Sequence, residues 1–431
     1  MNLNSSIGWI ELSKNALNKL RRSILDKYKG VRDEMGVLAI HSGYADMFFP
    51  GTSVQHTRPK YMLFTCWNYL KLGKGSSNPL RDMRDLETKV YSKLKAAKNE
   101  FSEGDFKGLI GLRDSNSPDT IYWSALKKYR FYSGPDISEL MGRWKSIDVV
   151  NVNNNSDAKD DQILKPAEFT AMFKCPDPPK GWGRPKVIKY LNFELSRNEA
   201  EFIYDQIQSV GPCLLTEILS LAKGKSHTFN DMWTDGFVNE AAANLKITKV
   251  LARAQKASQV AKLIRAVYYA QAEKLREGDI KNRGEAIEPP KAYRDFLRKL
   301  FEDVDPCIDA TLKFDIDAFL LDLPRLAADN DFVVMLRLTK TVTAEIDSPE
   351  KYKRFLSDEV LSVYRAVEVK RKDTRAKLGE GLHAVERRME IYGSASGNKV
   401  EIDGLNYRWR AVRDMLNDIT AGLATRKKRA A

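Results

Sequence analysis

The chain has 431 residues, of which 43% are hydrophobic and 30% charged. That length exceeds one ordinary core, so two or three domains are expected, and no stretch reaches the roughly 18 uninterrupted apolar residues of a membrane span. Lys and Arg number 71 against 58 Asp and Glu, a net charge of +13; this points to a polyanion, most often nucleic acid, or to lysines that serve solubility alone.

The charge is uneven. Residues 1–150 hold 24 basic against 16 acidic residues and residues 351–431 hold 19 against 11, each a net of +8, while 151–350 hold 28 against 31. Two basic ends flank a slightly acidic middle. The first residues, "MNLNSSIGWIELSKNAL", have no basic region followed by an apolar run, so no signal peptide is expected. Cys66, Cys175, Cys213 and Cys307 lie far apart in sequence, without zinc or redox spacing, and a reducing cytoplasm fits them.

In chain order, "SKNALNKLRRSILDKY" (13–28) places Leu17, Leu20, Ile24 and Leu25 at helical spacing behind Ser13. The stretch "FFPGTSVQHTRPKYMLFTCWNYLKL" (48–72) is polar at its start and apolar almost all round at its end. The residue before a proline is disfavoured in the α conformation, so Arg58 is expected to precede a core helix opening at Pro59. Leu86, Val90, Leu94 and Ala97 share one face of a further helix, and Ser117-Pro118 opens another. Beyond Trp144 the composition shifts to Asn, Asp, Pro and Gly, and a linker is expected at 148–187.

Ser196 with Glu199 forms a capping box ahead of the next helix. The run 239–278 is the strongest helical signal, with Leu245, Val250, Leu251, Ala254, Ala257, Ala261, Ile264 and Tyr268 on one stripe. A helix follows Pro289-Pro290, others are expected within 348–372 and 407–423, and "GSASGNKVEIDG" (393–404) reads as a turn or hairpin. The fold class is therefore mainly α and multi-helical with minor β. The expected divisions are a basic domain at 1–147, the linker at 148–187, a central domain at 188–340, a basic C-terminal domain at 341–425 and a tail at 426–431.

Familiar catalytic patterns are missing. "LAKGKSHTF" contains Gly-Lys-Ser but lacks the upstream glycine of a phosphate-cradling loop, and His41, His56, His227 and His383 are scattered. Glu368-x-Lys370 matches a metal-dependent nuclease pair, in which a carboxylate holds Mg²⁺ and a lysine orients water. That pair belongs on a strand, and here the flanking residues read as a solvated helix that separates the two side chains. No cofactor and no metal site is expected.

Three basic clusters are candidate nucleic-acid contacts. His56, Thr57, Arg58 and Lys60 surround the start of the core helix, where free N–H groups favour a phosphate; alternatively Arg58 pairs with a buried carboxylate such as Asp46 and fastens the loop. Lys127, Lys128 and Arg130 are interleaved with Tyr122, Trp123, Tyr129 and Tyr132, although Tyr122, Leu126 and Tyr129 keep core spacing. Arg410 and Arg413 lie on the polar side of the last helix, where Arg410 pairing with Asp414 is the plainer account.

Taken in order, "GWIELS", "FFPGTSVQHTRPKYMLF", "GLIGLRDSNSPDTIYWSALKKY", "NFELSRNEAEFI" and "GLNYRWRAVRDMLNDI" resemble a bacterial family known only as a domain of unknown function. The resemblance implies a genomic context, beside helicases and phospholipase-D-type nucleases in anti-phage defence clusters, and carries no catalytic residue. The resulting expectation is a nucleic-acid-binding accessory subunit of a defence complex. The alternatives are a nuclease using Glu368 and Lys370, or a structural adaptor whose basic ends meet an acidic protein.

Overall fold

A computed structural model of the chain describes residues 35–72, 78–98, 108–112, 117–136, 139, 166–184, 191–284, 292–390 and 402–424. Among them the protein is mainly α-helical, and its one β pairing is an isolated antiparallel bridge between Tyr132 and Phe173. The helix expected at 13–28, residues 148–165 and 185–187 of the expected linker, most of the 393–404 turn and the 426–431 tail lie outside the described residues. Among those described, no helix is long and apolar enough to cross a membrane.

Contacts group the chain into two compact units. The first comprises Ser42–Ala252 with Asn406–Ala431, and the second Met1–His41 with Arg253–Leu405. Helix α1 spans Val37–Phe48.

The first unit is organised around α2 (Lys60–Leu72), which buries Tyr61 to Tyr69 without interruption, together with Leu72. A helix apolar on every side must be enclosed, and this one is. It packs against α3 (Pro79–Lys98), whose Leu86, Val90, Leu94 and Ala97 are buried as their spacing requires, and against α4 (Pro118–Lys128). Ser117 stands at the N-cap of α4 but its hydroxyl makes no cap bond; it donates instead to Asp119.

The stretch read as a linker contributes α5 (Pro166–Ala171) and three buried aromatics, Phe169, Phe173 and Trp182. Trp182 stacks on Phe64 at 5.7 Å and meets Trp67 edge-on at 4.9 Å, while its Nε1–H donates to Asn68 Oδ1 at 3.1 Å. Proline and glycine prevent regular structure there, but the rings between them are core residues.

Helix α6 (Arg197–Gln208) starts at the expected capping box: the Ser196 N–H donates to Glu199 Oε2 at 2.8 Å and the Glu199 N–H to Ser196 Oγ at 3.4 Å. Then come α7 (Leu214–Ala222) and α8 (Gly236–Asn244). The single helix read across 239–278 is two helices. α8 ends at Asn244 and α9 runs Thr248–Asn282, with Lys246 between them at a φ of +59°. Every residue from Asn244 to Lys249 suits a helix moderately well, so local propensity did not disclose the break.

Along α9, Leu251, Ala254, Ala257, Ala261, Ile264 and Tyr268 are buried as the stripe requires, while Val250 and, ahead of the helix, Leu245 are only half-buried. The second unit adds α10 (Ala292–Glu302), α11 (Pro306–Leu312), α12 (Ile316–Asp322), α13 (Pro324–Ala327), α14 (Asn330–Glu345), a 3-10 helix (Pro349–Leu356), α15 (Asp358–Lys372) and α16 (Leu382–Met389). α14 and α15 pack together, and the Thr339 and Tyr364 hydroxyls share a buried hydrogen bond of 2.8 Å. The last helix, α17 (Trp409–Ala424), lies in the first unit against α6. Gly422 allows that approach: a Cβ there would stand 2.7 Å from the Ala200 Cβ.

Candidate nucleic-acid interface

The polar loop before α2 is turned inward. Arg58 donates from Nε to Asp418 Oδ2 at 2.6 Å and from Nη2 to Oδ1 at 2.8 Å, a two-point clasp between the loop and α17. The two side chains are only 17% and 16% exposed, and the guanidinium also faces the Phe193 ring at 5.1 Å. Burial pushes the Asp418 carboxyl up to about 6, more than the Arg58 bonds pull it down. Arg58 thus has a buried carboxylate partner, and that partner is Asp418. Asp46 is taken by Arg408, whose Nη1 donates to it at 2.7 Å and to the Thr52 carbonyl at 2.8 Å.

His56 and Lys60 are similarly engaged, whereas the buried Thr57 hydroxyl makes no hydrogen bond among the described residues. The His56 ring stacks on Tyr122 at 4.3 Å and its Nε2 meets the Ile121 carbonyl at 3.1 Å. Burial lowers its pKa to about 4, with the charge of Arg408 acting in the same direction, so the ring is neutral near pH 7. The Tyr122 hydroxyl accepts the N–H groups of Thr57 and Arg58 at 2.9 and 3.1 Å and donates to the Arg58 carbonyl at 2.9 Å. Lys60, lowered from its ordinary pKa by burial, donates to the Glu194 carbonyl and lies 3.4 Å from Glu199. This is the arrangement of a fastening.

The cations at the end of α4 face the other way. Lys127, Lys128 and Arg130 are all exposed. Lys127 reaches Asp136 at 2.5 Å, but with side chains 40% and 73% exposed that pair contributes little. Lys128 and Arg130 pair with no carboxylate among the described residues. The Lys128 stem lies along Gly51, where a Cβ would stand 2.9 Å from its Cγ. Arg130 holds a φ of +57°, and its N–H closes the helix end onto the Lys127 carbonyl at 3.2 Å. Glycine or asparagine is the usual choice at such a left-handed position.

On α17, Val412, Met415, Leu416 and Ile419 are buried, as their spacing requires. Arg413 pairs with Asp414 at 2.8 Å, in place of the Arg410–Asp414 contact expected from spacing. Arg410 is exposed and pairs with no carboxylate among the described residues.

The nuclease-like pair is not assembled. Both residues lie on α15, but Glu368 is wholly buried, which the reading of a solvated helix had not anticipated. Its Oε1 accepts the Tyr268 hydroxyl at 2.6 Å and the Lys377 N–H at 2.9 Å, and its Oε2 accepts the Leu378 N–H at 2.7 Å. Lys370 points elsewhere, to Asp329 and Asp331 at 2.9 Å each. Arg388 donates to the carbonyls of Lys377 and Gly379, at 2.5 and 2.9 Å, so Glu368 and Arg388 together hold the backbone of the 377–379 loop.

Among the described residues no three His, Cys, Asp or Glu side chains converge as metal ligands. Two residues central to the first unit, Asp418 and Arg408, were not singled out for these roles, because each acts on a partner more than 350 positions away. A His227–Asp235 contact of 2.8 Å on the loop between α7 and α8 was also not visible as a pair.

No curated protein and no solved structure matches the chain. A family model matches residues 4–296, which takes in every quoted motif except the last, "GLNYRWRAVRDMLNDI". The chain belongs to that family, described as a family of unknown function (DUF6361).

Proposed function

We propose that this protein is a nucleic-acid-binding accessory subunit, with Lys128, Arg130 and Arg410 of the first unit as phosphate contacts. The observation that carries the reading is Arg130. A non-glycine residue at a left-handed φ is uncommon and invites a reason; Lys246 holds the same backbone at another helix end, so the weight falls on what the Arg130 side chain faces. Here the side chain is an exposed guanidinium that pairs with no carboxylate among the described residues, in a chain of net charge +13. Phosphate oxygens are the natural complement of such a group. Lys127 and Lys128 also complement the negative end of α4, which makes them weaker witnesses than Arg130.

Working beside a helicase or a phospholipase-D-type nuclease in an anti-phage defence complex is part of the same proposal, and rests on the motif resemblance alone. Incubating the protein with DNA or RNA, with Mg²⁺ or with EDTA, tests it. Retardation without cleavage is the expected result. Cleavage dependent on Mg²⁺ favours a nuclease, and neither retardation nor cleavage favours the adaptor for an acidic protein.

A further inference from the structure

The loop between α7 and α8 carries lysines that meet half-buried aromatic rings of the flanking helices, Tyr204 of α6 and Phe237 of α8. Lys223, Gly224, Lys225 and Ser226 are all exposed. The Lys223 ammonium lies 4.0 Å from the Tyr204 ring centroid and that of Lys225 lies 5.0 Å from the Phe237 centroid. Neither lysine pairs with a carboxylate among the described residues. His227 stands edge-on to Phe237 and to Phe229, each at 4.6 Å, and Asp235 holds its Nε2 at 2.8 Å.

The loop is fixed to α17 at two points. The Phe229 N–H donates to Asn417 Oδ1 at 2.9 Å, and the Trp409 Nε1–H donates to the Asn230 carbonyl at 2.9 Å. Arg410, Arg413 and Asn417 follow one another at helical spacing on α17, so the basic side of that helix continues towards this loop. Two carboxylates of this segment are committed locally: Asp231 to the Thr234 N–H and hydroxyl, and Asp235 to His227 and the N–H groups opening α8; Asp205 and Glu240, on the helices that carry the two rings, are exposed.

We propose that this loop is a stacking platform for single-stranded nucleic acid, with Tyr204 and Phe237 receiving bases and Lys223 and Lys225 receiving phosphates. It rests on the nucleic-acid reading above and names the form of the ligand. Both rings are half-buried, Phe237 also packing against Phe229 and His227, and each meets an ammonium; a lysine stem that swings aside to a phosphate leaves its place over the ring to a base. Unpaired bases offer such faces and paired ones do not, which favours a single strand over a duplex.

The test is fluorescence anisotropy of the full chain with a labelled single-stranded oligonucleotide and with its duplex, each across the same series of salt concentrations. Phe237→Leu, which keeps apolar bulk but removes the ring, is expected to weaken single-strand binding by about 5- to 100-fold and to leave duplex binding unchanged. Lys225→Ala, a change at an exposed position, is expected to flatten the salt dependence of single-strand binding by about 0.7 per lost contact. Equal losses on both ligands, or unchanged single-strand binding in both variants, overturn the platform while the broader reading stands. A wild-type protein that binds neither ligand overturns both.

Discussion

Arg58 and Asp418 stand 360 positions apart and meet through two hydrogen bonds of 2.6 and 2.8 Å, tying the loop before α2 to the last helix. Removing Arg58 leaves the largely enclosed Asp418 carboxyl without either of its two donors, and removing Asp418 leaves the guanidinium without its acceptor. Arg58→Ala is therefore expected to cost about 3–5 kcal/mol of stability. Protein that remains folded should bind nucleic acid with an unaltered salt slope. Denaturant unfolding and a salt titration on the same variant check both, and a flattened slope with unchanged stability would return Arg58 to the list of phosphate contacts.

His56 gives a pH dependence of definite sign. Its pKa is about 4 in the folded protein against an ordinary 6.5, so the unfolded chain takes the proton first as pH falls. Stability from this group is complete above pH 6.5 and is lost progressively towards pH 4, by about 3 kcal/mol. Asp418, raised to about 6 from 3.8, acts in the opposite direction between those values. Comparing the wild type with His56→Gln across pH 4–7 isolates the histidine, and the difference should shrink as pH falls. A difference independent of pH contradicts the buried, neutral ring.

Glu368 and Lys370 should part company in mutation. Glu368→Ala leaves the N–H groups of Lys377 and Leu378 and the Tyr268 hydroxyl without their acceptor, and is expected to cost about 3–5 kcal/mol. Lys370→Ala removes the contacts of an exposed lysine with Asp329 and Asp331 and should cost far less than Glu368→Ala. Chemical denaturation measures both. Comparable small effects from the two would mean that the 377–379 loop does not depend on Glu368.

The core of the first unit supplies a volume test. Trp67 is 1% exposed, contacts Phe64 and Trp182 at 5.9 and 4.9 Å, and donates to the Pro176 carbonyl at 2.8 Å. Trp67→Ala is expected to lower stability by about 3–5 kcal/mol through the cavity it leaves. An unchanged melting temperature would contradict the enclosure of α2.

Local features were legible in the sequence because their causes are local. The apolar run Tyr61–Leu72, the face Leu86–Val90–Leu94–Ala97 and the Ser196–Glu199 box each lie within one helix or its first turn, and the structure has all three. The break at Lys246 was not legible, since the residues around it carry no glycine or proline. Pairings set by tertiary folding were also hidden. Nothing near Arg58 marks Asp418 as its partner, and nothing in "AVEVKRK" distinguishes the enclosed Glu368 from an exposed glutamate. The place of Trp182 in the core was hidden for a related reason: proline and glycine around it describe the backbone and say nothing about where the ring goes.

The most direct test of nucleic-acid binding by the first unit is Arg130→Gly, measured for affinity across salt concentrations and for thermal stability. Glycine adopts the +57° backbone without the Cβ penalty, so the melting temperature should be no lower than that of the wild type. If the guanidinium meets a phosphate, affinity should fall and the slope of log affinity against log salt should flatten by about 0.7–0.9. A variant as stable as the wild type that binds with the same affinity and the same slope contradicts the phosphate-contact role of Arg130, on which the proposed function rests.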